Sequence, residues 1–136
     1  VTAAKPIIHF AHANGFPAKT YSKLFSLLAD EFSIGYLERH GHNENFPVTD
    51  GWRFLVDELN AEIKNRYDEK IIGIGHSLGG VLHFLNSIEH PELYRQIILL
   101  DSPLMSRASE FAFRLLKATG RWKQTPLIKM TDFRRN

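Results

Sequence analysis

The sequence predicts an α/β protein: a mostly parallel sheet covered by helices on both faces. Two observations carry this. Four short β-rich runs alternate with three segments of helical period, the pattern of strands joined by crossover helices. The third strand also runs straight into a Gly-x-Ser-x-Gly turn followed by an apolar helical stripe, a strand, sharp turn and helix in immediate succession.

Taken in order, Ile7 to Ala13 is the first strand. Tyr21, Leu24, Phe25 and Leu28 then fall at i, i+3, i+4 and i+7, one apolar stripe of a helix. Phe32 to Leu37 is the second strand. The second helix carries Trp52, Leu55, Val56, Leu59 and Ile63, with Asp50 placed to accept a backbone N–H at its start. Ile71 to Gly75 is the third strand. The third helix starts at Leu78, carries Val81, Leu82, Leu85 and Ile88, and ends near His90-Pro91, because the residue before a proline is pushed out of helical angles. Gln96 to Leu100 is the fourth strand. The order is βαβαβαβ, with no internal repeat and no interdomain linker.

At 136 residues the chain has the length of one domain, and an apolar share of 43% can fill one core. The lack of cysteine excludes a disulfide framework and a cysteine-ligated metal site, and fits a cytoplasmic protein. No apolar run approaches the roughly 18 residues of a membrane span, and the first residues lack the charged start and apolar centre of a signal peptide. Net charge is +2 but unevenly spread, with eight basic against two acidic residues from Ser106 onward. A basic tail fits nucleic acid or an anionic surface, but such runs are most often the solvated faces of helices, so no nucleic-acid partner is expected. Oligomeric state is not legible.

Residues 1–105 read as the core. In 106–136, Phe111, Leu115 and Ala118 keep helical spacing and Gly120 interrupts it. The start of a lid and a helix packed on the sheet fit this periodicity equally.

Gly75-His76-Ser77-Leu78-Gly79 is the segment that carries chemistry. At ordinary residue frequencies such a motif arises by chance about once in twenty chains of this length, so its context matters more than its letters. A nucleophilic serine must project from a strained turn, and the residues two before and two after must be small enough for strand and helix to meet. Gly75 and Gly79 meet that need. The start of a helix also offers free N–H groups to an oxyanion. Two nucleotide-binding alternatives fail: after Gly73 and Gly75 the dinucleotide fingerprint needs a third glycine where Leu78 stands, and a Walker A loop needs Gly-Lys-Ser/Thr where Gly80-Val81 stands. His12-Ala13-Asn14-Gly15-Phe16-Pro17, after the first strand, is either a turn that presents an N–H to substrate or an ordinary connecting turn.

With these motifs the chain resembles the α/β-hydrolase superfamily, in its lid-bearing branch of single-domain esterases. The resemblance covers the chain up to Met105, from the third to the sixth strand of that family's sheet. Asn14-Gly15-Phe16-Pro17 resembles its His-Gly-x-Pro oxyanion loop, with asparagine for histidine. The segment from Leu37 to Asn43 resembles its Arg-Gly-His-Gly-x-Ser loop with several replacements, and Leu99 to Pro103 resembles the end of its sixth strand, after which the lid is inserted. The resemblance implies a hydrolase that cleaves an ester or thioester of a small molecule, without a cofactor or metal. Ser77 would be the nucleophile, with Phe16 and Leu78 giving the oxyanion N–H groups. Serine in place of aspartate disfavours epoxide and haloalkane hydrolysis, for which the family uses a carboxylate. A lyase or C–C hydrolase, or a non-catalytic binding protein on the same scaffold, remains an alternative.

A base for Ser77 is not evident. The family's histidine comes last in sequence order, and only His83 and His90 follow Ser77. His83 is six positions along the same helix, roughly 9 Å up its axis and out of reach. The family counterparts of His12, His40 and His42 are structural; His9 reads as core and His76 as pocket lining. Asp101 is a candidate triad acid, or a turn residue. The expectation is of an incomplete α/β-hydrolase domain, with the last strands and the histidine beyond Asn136, further chain before Val1, and little activity from these residues alone.

Overall fold

The computed structural model describes residues 3–48 and 52–103, together with Ala118. The expected lid segment, 106–136, lies outside the described residues except at that position. The strands are β1 (Ile7–Ala11), β2 (Ser33–Tyr36), β3 (Ile71–His76) and β4 (Tyr94–Leu100). The helices are α1 (Ser22–Leu28), α2 (Arg53–Arg66) and α3 (Leu78–Glu89), with short 3-10 turns at Ala18–Tyr21 and Pro91–Leu93. All pairings are parallel, in the order β2-β1-β3-β4. Parallel strands cannot be joined by tight hairpins, so each connection crosses over through a helix.

Strand alternation sorts side chains to two faces. Ile8, Phe10 and Ile74 point to one, where Tyr21, Leu24, Phe25 and Leu28 cover them. The opposite face is covered by α2 and α3, through Leu55, Val56, Leu59, Ile63 and Leu82 over Ile71 and Tyr94. This is the expected three-layer arrangement. Helix α3 lies close on β3 because Gly73 and Gly75 are on the face that α3 covers. A Cβ on Gly73 would come within 2.8 Å of both the His83 ring and the Tyr94 ring.

Three expectations need adjusting. The first strand stops at Ala11 rather than Ala13, because the ladder from β1 to β3 ends at the pair Ala11 and Gly75 and the chain then turns away. The fourth begins at Tyr94, two residues before Gln96, since Tyr94 pairs with Ile71 across a register irregularity. Asp50 is outside the described residues; the residue before α2 is Trp52, left-handed at φ 60° with no side-chain cap. Among the described residues no helix is long and apolar enough to cross a membrane.

The elbow glycines yield a test. A Cβ on Gly75 would overlap the backbone of Gly79 and Gly80, and one on Gly79 the backbone of Ala11. Backbone cannot swing aside as a side-chain tip can. Gly75→Ala and Gly79→Ala are each expected to destabilise the chain by at least about 3 kcal/mol in urea unfolding. Gly15→Ala meets nothing within 4 Å and suffers only its φ of 80°, so it should cost about 1 kcal/mol. Equal costs at the three positions would contradict the close approach.

Candidate active site

Ser77 has φ 50° and ψ −115°, a conformation few non-glycine residues adopt and one that stores strain on the order of 1–3 kcal/mol. The surroundings hold it there. Its N–H donates to Leu100 O at 2.9 Å, and its carbonyl accepts from Gly80 N at 3.1 Å and Val81 N at 3.3 Å. The side chain is half-buried. Among the described residues nothing hydrogen-bonds its hydroxyl, and the N–H groups of Leu78 and Gly79 have no acceptor. They are orphan donors of a helix start, where the dipole favours negative charge.

The loop after β1 folds back on itself. Gly15, at φ 80°, permits a turn closed by Phe16 N–H donating to Ala13 O at 3.1 Å. That bond engages the N–H expected to face the substrate, so Phe16 would serve an oxyanion by sharing its hydrogen or after the turn opens. Ala13 O also accepts from His12 Nδ1 at 2.8 Å, and His12 Nε2 accepts from His40 N–H at 2.9 Å. Both ring nitrogens of His12 are therefore occupied in one neutral tautomer, and burial lowers its pKa. His12 joins two loops and has no nitrogen left to act as a base.

The loop after β2 is fixed from below. Glu58, buried on α2, accepts from Gly41 N–H at 2.8 Å. Burial raises the pKa of this carboxyl, and the Gly41 bond opposes that rise. His40 stacks on His12 with ring centroids 4.5 Å apart, and burial with the neighbouring His12 and His83 pushes its pKa down to about 3. Between the two loops is a cleft of about 310 Å³ lined by Asn14, Gly15, Phe16 and Pro17 with Arg39, His40, His42 and His12. Phe16 lines it; Ser77, Leu78 and Asp101 do not.

Asp101 follows directly on Leu100, the residue whose carbonyl holds the Ser77 N–H, and has φ 48°. The end of β4 thus brings the candidate acid to the elbow's backbone. His76, the residue before Ser77, is hydrogen-bonded through Nδ1 to the Tyr21 hydroxyl at 2.8 Å.

Two further histidines, His9 and His83, belong to the core. His9 and His83 are fully buried, with His9 Nδ1 3.5 Å from His83 Nε2, His83 Nδ1 3.1 Å from Tyr94 OH, and Asn86 Nδ2 donating to the same hydroxyl at 2.8 Å. These contacts fit a neutral His83 that bonds Tyr94 through one ring nitrogen and His9 through the other. Burial pushes His83 down to about 3 and His9 well below its ordinary value, with His83 adding to the effect on His9. Among the described residues no group of three or more His, Cys, Asp or Glu side chains could hold a metal ion.

No family model matches the chain. Epoxide hydrolase 4 of Mus musculus is 28% identical over 116 residues, which is 81% of this chain and 32% of that protein. The chain thus spans about a third of the length of the curated relatives it matches. Among solved structures, the thioesterase domain from the curacin biosynthetic pathway superposes with a TM-score of 0.65 at 17% identity, covering 90% of this chain and 47% of that one. Monoacylglycerol lipase of Paleococcus ferrophilus gives 0.64 at 21%, covering 87% and 49%. The chain has the α/β-hydrolase fold.

On an α/β-hydrolase sheet of this order, the connections run one way from β1 to β2 and the other way from β3 to β4. The point where the direction changes lies between β1 and β3, and ligands bind at the carboxyl ends of strands beside such a point. The turn at Phe16 and the elbow at Ser77 leave the sheet on either side of it. Sequence patterns do not single out Tyr21 and Glu58 as members of this region. Glu58 carries a faint signal, a carboxylate flanking the apolar stripe of α2. Tyr21 shows in the sequence only as a member of an apolar stripe.

The buried neutral histidines make stability depend on pH. His9 and His83 have folded pKa values below the unfolded value of about 6.5. Below that pH the unfolded chain takes up protons that the folded chain refuses, so their contribution is intact above about 6.5 and is lost as pH falls toward the folded values. For His83 the loss in urea unfolding should be about 1 kcal/mol per pH unit between pH 6 and 4, and His9 should add to it in the same direction. A His9→Gln/His83→Gln double variant should show a shallower slope in that window, and an unchanged slope would place the pH dependence elsewhere.

Proposed function

We propose that Ser77 is the nucleophile of a hydrolase that cleaves an ester or thioester of a small molecule. The observation that carries this reading is the Ser77 backbone, at φ 50° and ψ −115° beside two helix N–H groups without acceptors. Ser77 Oγ attacks the substrate carbonyl, and the tetrahedral oxyanion is taken by Leu78 N–H with Phe16 N–H as second donor. The proton lost by the Ser77 hydroxyl passes through a general base to the leaving alcohol or thiol as the ester or thioester bond breaks, and water then hydrolyses the acyl-enzyme to the acid and free Ser77. Asp101 is proposed as the acid that orients the base. The base itself is assigned to none of His9, His12, His40 or His83, whose ring nitrogens are committed or buried. A cysteine-free chain is compatible with a cytoplasmic setting.

The curated relatives bear the name epoxide hydrolase, a chemistry for which the resemblance implies a carboxylate nucleophile. A hydroxyl at that position supports acyl transfer instead, as does likeness in fold to a thioesterase domain and a lipase. The second reading is a binding protein on the hydrolase scaffold, favoured by the lack of a described base on the Ser77 hydroxyl.

A fluorophosphonate probe separates the two. As a hydrolase, the protein should label stoichiometrically, and Ser77→Ala should abolish labelling and lower turnover of a short activated ester by at least about a thousandfold. Labelling no faster than that of a surface serine would support the binding protein, and labelling that persists in Ser77→Ala would assign the nucleophile elsewhere.

A further inference from the structure

We propose that Tyr21 is a positioning residue that holds the oxyanion loop in register with the nucleophile elbow. This rests on the reading of Ser77 as nucleophile. Tyr21 lies at the end of the 3-10 turn before α1, far from Ser77 in sequence and outside both motifs. Its hydroxyl makes two hydrogen bonds to opposite sides of the site. Ala13 N–H donates to Tyr21 Oη at 3.2 Å, and the same oxygen is hydrogen-bonded to His76 Nδ1 at 2.8 Å. One oxygen accepts from the loop after β1 that leads to Phe16 and is bonded to the residue that immediately precedes Ser77.

The need for such a link follows from the sheet. The ladder between β1 and β3 ends at the pair Ala11 and Gly75. Ala13 and His76 lie beyond that last pair, where no backbone bond joins the two segments, yet the oxyanion donors come from one on each side. Both must meet the same substrate oxygen within a few tenths of an ångström. Tyr21 continues the connection one step past the ladder. The effect passes through Ala13, whose carbonyl accepts both Phe16 N–H and the His12 ring N–H. Moving Ala13 therefore moves Phe16 and the His12 junction with the next loop together.

The ring is rigidly seated. Its centroid is 4.5 Å from Phe10 and 5.8 Å from His76, the latter edge-on. Packing alone would be satisfied by phenylalanine. What tyrosine adds is a single oxygen able to bond both groups, at the spot where a backbone donor and an imidazole nitrogen face each other.

The test uses Tyr21→Phe, which retains the ring packing and removes both bonds. With a short activated ester, kcat should fall about tenfold, the scale of a modest misplacement of an oxyanion donor, while KM stays within about twofold. His76→Leu should lose as much, whereas His76→Asn, whose Oδ1 stands close to where Nδ1 was, should recover most of the rate. The double variant Tyr21→Phe/His76→Leu should be no slower than either single variant, because the two changes break one link. Nitrogen-15 spectra of the Ser77→Ala protein, which need no turnover, should report a His76 Nδ1 resonance that shifts on Tyr21→Phe, with faster exchange of the Ala13 amide. If Ser77→Ala retains activity, the nucleophile assignment fails and the spectra still decide the link. An unchanged kcat in Tyr21→Phe, multiplicative losses in the double variant, or a His76 spectrum indifferent to Tyr21 would each overturn the proposal.

Discussion

The structure depends on how closely the start of α3 approaches the backbone of β3 and β1. Gly75, Gly79 and Gly80 remove the side chains that would stand in the gap, and any Cβ at the first two would meet main chain. Because the gap closes, the chain must reverse between strand and helix in a single residue, and Ser77 takes the left-handed φ that this requires. Its N–H is then free to reach Leu100, tying the turn to β4. The strain at Ser77 is held by bonds from both sides, so the N–H groups of Leu78 and Gly79 keep a fixed direction rather than fraying as helix ends do.

A second constraint runs beneath the loops. On the face covered by α2 and α3, the core is polar in an unusual proportion, with His9, His83, Asn86 and Glu58 all buried. They divide the work. His9, His83, Tyr94 and Asn86 join β1, α3 and β4 through a chain of neutral hydrogen bonds, which specifies partners more narrowly than apolar contact does. Glu58 and His12 act on loops: one holds Gly41, the other joins the turn after β1 to His40. The cleft between those loops is shaped by side chains committed to structure, which is why an abundance of histidine there does not amount to a supply of bases.

The order of elements and the elbow are legible in the sequence because both rest on local rules. Alternating apolar runs, the i, i+4 stripe of α2 and glycines two residues either side of Ser77 are patterns a reader can check in one dimension. Strand ends are legible only to within two residues, since where β1 stops and β4 starts depends on which partner pairs with which. The start of α2 escapes the sequence for a related reason, as Trp52 occupies a cap position that no side-chain rule assigns to tryptophan. The turn after β1 can be located, but the engagement of Phe16 N–H by Ala13 O depends on turn geometry. Tyr21 is hidden most completely: at helical spacing it looks like any core aromatic, and its hydroxyl matters only because residues 13 and 76 come together at its tip.

Gly73 has a consequence for how this fold can diverge. It is the empty half of a size pairing whose other half is the His83 and Tyr94 rings, each within 2.8 Å of where a Cβ would stand. Volume added at position 73 must be withdrawn from 83 or 94, and a smaller residue at 83 leaves a hole that 73 could fill. The three positions should thus drift as a set across related sequences, with bulk exchanged among them at constant sum. Since Tyr94 and His83 are also bound to each other, that exchange would trade a hydrogen-bonded interior for an aliphatic one in a single coordinated replacement.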